Sequence, residues 1–248
     1  MTAVKGKWTR VLIGRRDVSG EMASVEIRAA ITTEDTTTFQ ATAREYTTTG
    51  MESTIDVGGY ITGLTTTYPE RTIQARFGTT IMDHIGVLLQ EDGITELGMP
   101  IYVLPMSEPD SYGISTPVAG IMAINASFSQ RAAPMRRGLL LFRGTVTSTG
   151  VKSAIDFPAG GVAGGDVWLW VQECAPSPTD AVITISSAPN EGGTYTNEAT
   201  VTFSDIGSYY AAMTDAISKW LRVSVTNLGG ATSLTFVIAV GINGVTQP

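Results

Sequence analysis

The chain of 248 residues is 43% hydrophobic and 16% charged, which supplies a buried core and excludes a disordered or nucleic-acid-coating protein. Its formal charge is −7, from 13 basic and 15 acidic residues up to Arg143 and 3 basic against 8 acidic beyond it, so no basic stripe is available for phosphates. One cysteine, Cys174, excludes an internal disulfide framework, and the lack of a Cys/His cluster excludes a zinc staple.

In chain order, Val11-Leu12-Ile13 is a short apolar run closed by Arg15-Arg16-Asp17. It is too brief and too soon charged for a signal peptide, so the protein is expected to be made and kept in a cytosol. No apolar stretch approaches the roughly 20 residues that cross a bilayer, and a soluble chain is expected. Residues 22–31 alternate with period two, with Val25, Ile27, Ala29 and Ile31 on one face and Ser24, Glu26 and Arg28 on the other, as in a half-buried strand. Threonine triplets at 36–38, 47–49 and 65–67 add β-branched residues suited to a pleated surface.

Further strands are expected at residues 53–57, 72–77, 101–104, 120–128 and 139–147. The polar segments 46–51 and 106–116, the second set among Pro105, Pro109 and Pro117, read as long loops able to reach a neighbouring subunit. One stretch breaks the pattern: Ile81, Ile85, Leu88 and Leu89 recur at helical spacing, behind a Thr80-x-x-Asp83 cap and ahead of Gly93. This spacing predicts an amphipathic helix over residues 81–91 that covers one side of the N-terminal sheet.

The charge balance shifts near Ser148-Thr149-Gly150, which predicts two domains, 1–148 and 149–248. In the second, residues 166–171, 181–186, 199–203, 220–226 and 234–240 are strand-like and separated by turn residues at sandwich-like spacing. Residues 208–218 admit either a short helix or an irregular connection. The expected fold class is all-β with minor α: an N-terminal β-sandwich or barrel with one short helix, then a C-terminal β-sandwich.

No residue set proposes a reaction. The single histidine, His84, lies among apolar positions and reads as structural, and Cys174 has no second histidine with which to form a nucleophilic pair. The run Gly160-Gly161-Val162-Ala163-Gly164-Gly165-Asp166 lacks the Gly-Lys-Ser/Thr ending of a phosphate loop and precedes a strand. The acidic pairs Glu34-Asp35 and Glu91-Asp92 occupy turn or helix-end positions where solvation suffices. Arg131, Arg136, Arg137 and Arg143 are the densest basic cluster, and in a net acidic chain they are expected to pair with carboxylates. Accordingly no catalytic, cofactor-binding or metal residue is assigned, and the chain is expected not to be an enzyme.

Val11 to Gly20, residues 22–31 and Asp35-Thr36-Thr37-Thr38-Phe39 resemble the opening of bacteriophage tail tube (major tail) proteins: a short strand, an Asp-x-Ser element, a long strand and a Thr-rich segment. Gly50 to Tyr60 is similar to the family's next strand, which follows a glycine and ends in a Gly-aromatic turn. In the second half, Arg137 to Leu141, Thr145 to Gly150, Ile185 to Ala188 with Gly193-Thr194-Tyr195, Ala199 to Phe203 and Trp220 to Val225 resemble, in that order, the C-terminal β-sandwich of many phage tail and virion proteins.

The resemblance implies a tail-tube-like N-terminal domain that self-associates into rings, typically hexameric, stacked into a DNA conduit. It implies other virion tail proteins as partners, DNA as passing cargo only, no membrane and no cofactor. The implied location is the phage tail, assembled in the bacterial host cytoplasm. Two alternatives stand beside it. One is a head decoration or fibre-like virion protein. The other is a carbohydrate-binding sandwich using Trp168, Trp170, Tyr195, Tyr209, Tyr210 and Trp220 as stacking faces.

Overall fold

The structure is a computed structural model and describes residues 9–35, 46–61, 73–75, 83–90, 97–116, 121–131, 133–157 and 163–242. These hold β1 (Arg10–Ile13), β2 (Arg16–Asp17), β3 (Met22–Asp35), β4 (Tyr46–Tyr60), β5 (Asp83–Leu88), β6 (Pro100–Ser115), β7 (Ala123–Ser129) and β8 (Arg136–Val146). They continue with β9 (Gly150–Asp156), β10 (Ala163–Ala175), β11 (Ala181–Ala188), β12 (Thr196–Phe203), β13 (Gly207–Ala216), β14 (Trp220–Asn227) and β15 (Ser233–Ile242). The all-β expectation holds. Among the described residues only Ile73 and Gln74 are helical, where the sequence pattern suggested a strand. Three alternating positions are too few to decide between periods.

The chain divides into two compact units, each discontinuous in sequence. Unit 1 is Met1–Ser19, His84–Val103 and Arg136–Pro248, and unit 2 is Gly20–Asp83 and Leu104–Met135. The cut expected at 148/149 therefore falls inside unit 1. The cause is non-local pairing: β8, which precedes that cut, is bonded to β15 from Leu139↔Val240 to Val146↔Leu234. A shift in composition carries no information about such pairs.

Unit 1 holds two sheets. One runs β13-β10-β15-β8-β6-β5-β1-β2, with β6 contributing its first four residues, and the other runs β12-β11-β14-β9. Along β10 and β15 the larger sheet is buried on both faces. Val167, Leu169, Val171, Phe236 and Ile238 pack with Ile183, Leu221 and Val223 in one core. The intervening Trp168, Trp170, Val237 and Ala239 pack with Leu12, Leu88, Ile101 and Leu140 in a second. Two-sided burial is why these strands read as nearly continuous apolar runs.

The same reason overturns the helix expected over residues 81–91. Residues 83–88 form β5, buried at every position and paired with β1 from Arg10↔Leu88 to Ile13↔Ile85. A strand apolar on both faces loses its period-two signature, and its apolar residues then fall at helical spacing by composition alone. Residues 81, 82 and 91, with the Thr80 cap, Glu91-Asp92 and Gly93, lie outside the described residues. Within β5, Gly86 is fixed by packing, since a Cβ there would stand 2.9 Å from Trp170 Cζ2 and 3.2 Å from Ile101 Cδ1. Gly86→Ala is expected to destabilise by about 1–3 kcal/mol, read as a lowered urea midpoint.

Unit 2 is built on a four-stranded antiparallel sheet of order β3-β4-β7-β6, with β6 entering at Leu104. Both segments expected to be loops, 46–51 and 106–116, are strand almost throughout, within β4 and β6. Pro109 is accommodated because it sits opposite Phe128 beside an irregularity between Pro109 and Ser111, which leaves Asp110 as an extra residue. In unit 1 the undecided segment 208–218 is likewise mostly strand, as β13 bonded to β10. The triplets 36–38 and 65–67, Pro117 and residues 160–162 of the glycine run lie outside the described residues.

Candidate assembly surface

The unit 2 sheet has two chemically different faces, set by strand alternation. Register places Val25↔Val57 and Ile27↔Ile55 in line with Ala126 and Phe128 of β7, and Ile55, Val57, Ile124, Ala126 and Phe128 are buried. Ser53, also on this face, is buried and accepts a hydrogen bond on Oγ from Met135 N at 3.1 Å. The opposite face is polar and small. Ser24, Glu26, Asp56, Gly58, Asn125, Ser127 and Ser111 line a shallow groove across all four strands. Gly58 keeps it open, because a Cβ there would lie 2.7 Å from Ser24 Oγ and 3.0 Å from Asn125 Oδ1.

This polar face is acidic. Arg28 donates through Nε to Glu26 Oε1 at 2.8 Å and through Nη2 to Oε2 at 2.7 Å, and its Nη1 stands 3.8 Å from Asp56 Oδ2. The Arg28 hydrogen bond holds the Glu26 carboxyl below its ordinary pKa. Desolvation raises the Asp110 carboxyl, with Glu108 and Asp56 adding like-charge repulsion against the pull of Arg131, which itself pairs with Glu108. Unit 2 as a whole has five basic and eleven acidic residues, net −6, whereas unit 1 has eleven and twelve, net −1. Nearly all of the chain's −7 therefore belongs to unit 2.

The sheet ends in strands of opposite direction. Among the described residues β3 pairs only with β4, and residues 108–115 of β6 pair only with β7. Four antiparallel strands run up, down, up and down. A second sheet set beside the first by rotation about an axis along the strands would therefore meet it antiparallel, the geometry of an unbroken ladder.

The residues singled out from sequence are scattered and engaged elsewhere. His84 is buried, its N–H donates to Ser208 Oγ at 3.4 Å and its ring lies 6.0 Å from that of Tyr210. Burial pushes its pKa down to about 4, against the opposing charge of Asp166. Tyr210 donates to Asp166 Oδ1 at 2.7 Å, and Arg136 holds Asp166 Oδ2 at 2.9 Å. Burial, then the Asp166 contact, pushes the Tyr210 hydroxyl up to about 12. Cys174 is half-buried against the first core of unit 1.

The arginine cluster is dispersed. Arg131 pairs with Glu108 in unit 2, while in unit 1 Arg136 pairs with Asp166 and Arg143 lies 3.3 Å from Asp17. That Asp17 also accepts on Oδ1 from Ser19 N at 3.1 Å, and Ser19 Oγ accepts from Val11 N at 2.8 Å. The Asp-x-Ser element is thus a turn lock that carries an ion pair. Among the described residues no group of three His, Cys, Asp or Glu side chains is placed to hold a metal ion.

The aromatic residues do not assemble into a stacking platform. Trp168 and Trp170 are 0% exposed, the Arg222 guanidinium covers the Tyr195 ring at 3.8 Å, and Tyr209 packs on Phe203 at 5.4 Å. The carbohydrate-binding alternative thereby loses its two principal tryptophans.

No protein-family model and no curated protein matches the sequence. Among solved structures, a chain from the virion of a native gene transfer agent particle overlaps with a TM-score of 0.41 at 16% identity, over 54% of this chain and 98% of that one. A chain from the tail of the empty gene transfer agent particle, with C6 symmetry, gives 0.40 at 17%, over 53% and 96%. The SPP1 Dit protein, described as a hub adsorption apparatus of phages infecting Gram-positive hosts, gives 0.35 at 10%, over 94% and 99%. At these TM-scores and identities the likenesses carry no functional argument.

Proposed function

We propose that this chain is a structural virion protein of a phage tail, and specifically a tail tube subunit. Copies associate side by side into a ring, expected to be hexameric, and the rings stack into a conduit for DNA. The observation that carries the reading is the unit 2 sheet: antiparallel, with one apolar face, one acidic face and edge strands of opposite direction. Exposed edges of this kind are templates for pairing between chains, and closing them into a ring removes the edge. The sequence resemblance supports the same assignment.

In this reading the face with Glu26, Asp56 and Asn125 lines the conduit. Like charge keeps DNA as passing cargo, because an acidic wall whose described cation, Arg28, is paired with Glu26 releases few counterions on contact and gains little affinity. The protein acts without catalysis, cofactor or membrane, and its other partners are tail proteins of the virion in which it resides after assembly in the host cytoplasm.

The test is negative-stain electron microscopy with light scattering on the purified protein at rising concentration. Rings or tubes of one diameter are expected. A stable monomer, or a compact trimer that decorates heads, would overturn the tube assignment and favour a decoration role.

A further inference from the structure

We infer that Arg10 and Arg143 form an oxyanion-binding site at the rim of the second core of unit 1, where a phosphate or carboxylate group docks beside Asp17. The inference is independent of the tube reading.

Three strands bring the site together. Leu12↔Asp17 puts Asp17 of β2 on the face of Leu12, and Arg10 stands two residues earlier on that face of β1. On β8, Arg143 lies opposite Val237, which lies opposite Trp170. Leu12, Val237 and Trp170 all belong to the second core, so the three charged side chains meet at its edge. In the sheet β6, β5 and β1 stand between β8 and β2, and the sheet curls until Arg143 reaches Asp17.

The carboxylate is shared among too many donors. Asp17 Oδ1 accepts the Ser19 N–H at 3.1 Å and also the Ser19 hydroxyl. That leaves Oδ2 to two guanidiniums, with Arg143 Nη2 at 3.3 Å and Arg10 Nη1 at 3.9 Å. At 3.9 Å the second contact is an attraction of charges, too long for a hydrogen bond. Two cations on one anion leave a positive charge over, on side chains only 33% and 24% exposed. Burial, then the charge of Arg10, holds the Arg143 pKa below its ordinary value, and Asp17 opposes them less strongly than either acts. Repulsion between the arginines thus exceeds what the shared carboxylate returns at Arg143.

The distribution of charge along the chain agrees. Residues 1–19 hold five basic residues and one acidic, whereas the rest of unit 1 holds six and eleven. Arg15, exposed in the turn between β1 and β2, adds to this cationic corner of an acidic chain.

A second oxyanion resolves the imbalance. Planar guanidinium forks match the oxygens of phosphate and carboxylate, a geometry that a halide does not use. Such a group reaches the partly exposed rim and bonds both arginines while Asp17 keeps Ser19. Its source is either a free phosphate ion or an acidic side chain of a second copy.

The full chain tests this when titrated with millimolar sodium phosphate against sodium chloride at matched ionic strength, read by phosphorus NMR line width and the urea midpoint. Millimolar salt is too dilute for the general stabilisation by excluded anions. Phosphate should broaden its line and raise the midpoint, and Arg10→Gln should weaken this binding at least about tenfold. Arg10→Gln keeps the shorter Arg143–Asp17 contact, so without phosphate its midpoint should equal or exceed that of the parent. Lys152→Gln, on β9, should behave as the parent does.

A phosphate effect lost in Arg10→Gln, with assembly by light scattering unchanged, identifies the free ion as the ligand. Assembly lost in Arg10→Gln at an unchanged midpoint, and inhibited by phosphate in the parent, identifies a carboxylate of a neighbouring copy. If the parent never assembles, the phosphate arm alone decides. The absence of both effects, or an Arg10→Gln midpoint below that of the parent without phosphate, would overturn the site.

Discussion

Trp170→Ala is expected to remove about 3–5 kcal/mol of stability, the usual range for truncating a fully buried tryptophan, and in a protein stable by roughly 5–15 kcal/mol this leaves unit 1 near its threshold. Trp170 is 0% exposed in the second core with Leu88, Ile101 and Trp168, and its Nε1 donates to His84 O at 2.9 Å. The mutation opens a cavity and removes that donor from a buried carbonyl. Conservative replacements separate the two effects.

Trp170→Phe keeps most of the volume but loses the hydrogen bond to His84 O. Trp168→Phe removes an indole N–H that has no hydrogen-bond partner among the described residues, so it relieves a desolvation cost while making a similar cavity. Trp168→Phe should therefore be the milder change, by about 1–3 kcal/mol, in urea unfolding followed by far-ultraviolet circular dichroism. Equal losses would mean that the His84 carbonyl finds another donor and that packing alone decides the cost.

Acidification is expected to cost about 3 kcal/mol through His84 alone. The folded protein holds this imidazole neutral down to about pH 4, whereas the unfolded chain protonates it near 6.5. Between these values the unfolded state binds the extra proton, so this contribution is complete above pH 6.5. It falls as pH drops, and at pH 4.5 about 2.5 kcal/mol is gone.

Carboxylates titrate in the same region, so the diagnostic quantity is the difference between the parent protein and His84→Asn measured at pH 7.5 and pH 4.5. The parent should lose more stability than the variant by about 2.5 kcal/mol. Parallel losses would show that the folded state accepts the proton, with Asp166 compensating the new charge.

The reading of the chain as strands from 22 to 31, 101 to 104, 139 to 146 and through most of residues 166 to 240 came from local alternation and turn residues, and the structure places strands there. The same local logic failed at β5, where burial on both faces erases alternation. It failed again at residues 106–115, where Pro109, the adjoining Pro105 and polar residues describe an exposed edge strand as well as they describe a loop.

The candidate surface was only half legible. Ser24, Glu26 and Arg28 on one side and Val25 and Ile27 on the other are visible in β3 by themselves. That Asp56, Asn125 and Ser111 complete the polar face depends on the registers with β4, β7 and β6. The signal for the exposed cross-strand pair was the continuation of apolar alternation to Ile31 in β3 and its counterpart at Met51, two residues ordinarily assigned to a core.

By itself the sequence determined the class of the protein: rich in β-structure, acidic, with one cysteine and one histidine, and without a constellation of reactive groups. Those properties are sums over residues or periods of two, and they need no partner to be read. Only the tertiary structure decided that β8 belongs with β15, that the chain divides into two discontinuous units, and that −6 of the −7 charge falls on one of them. Only it decided, too, that Ile31 and Met51 stay exposed while Ile55 and Val57 do not. Strand pairing joins residues as far apart as Leu139 and Val240, and burial depends on what those pairings bring alongside. An apolar residue of the same kind at the same alternation therefore becomes core in one place and exposed surface in another.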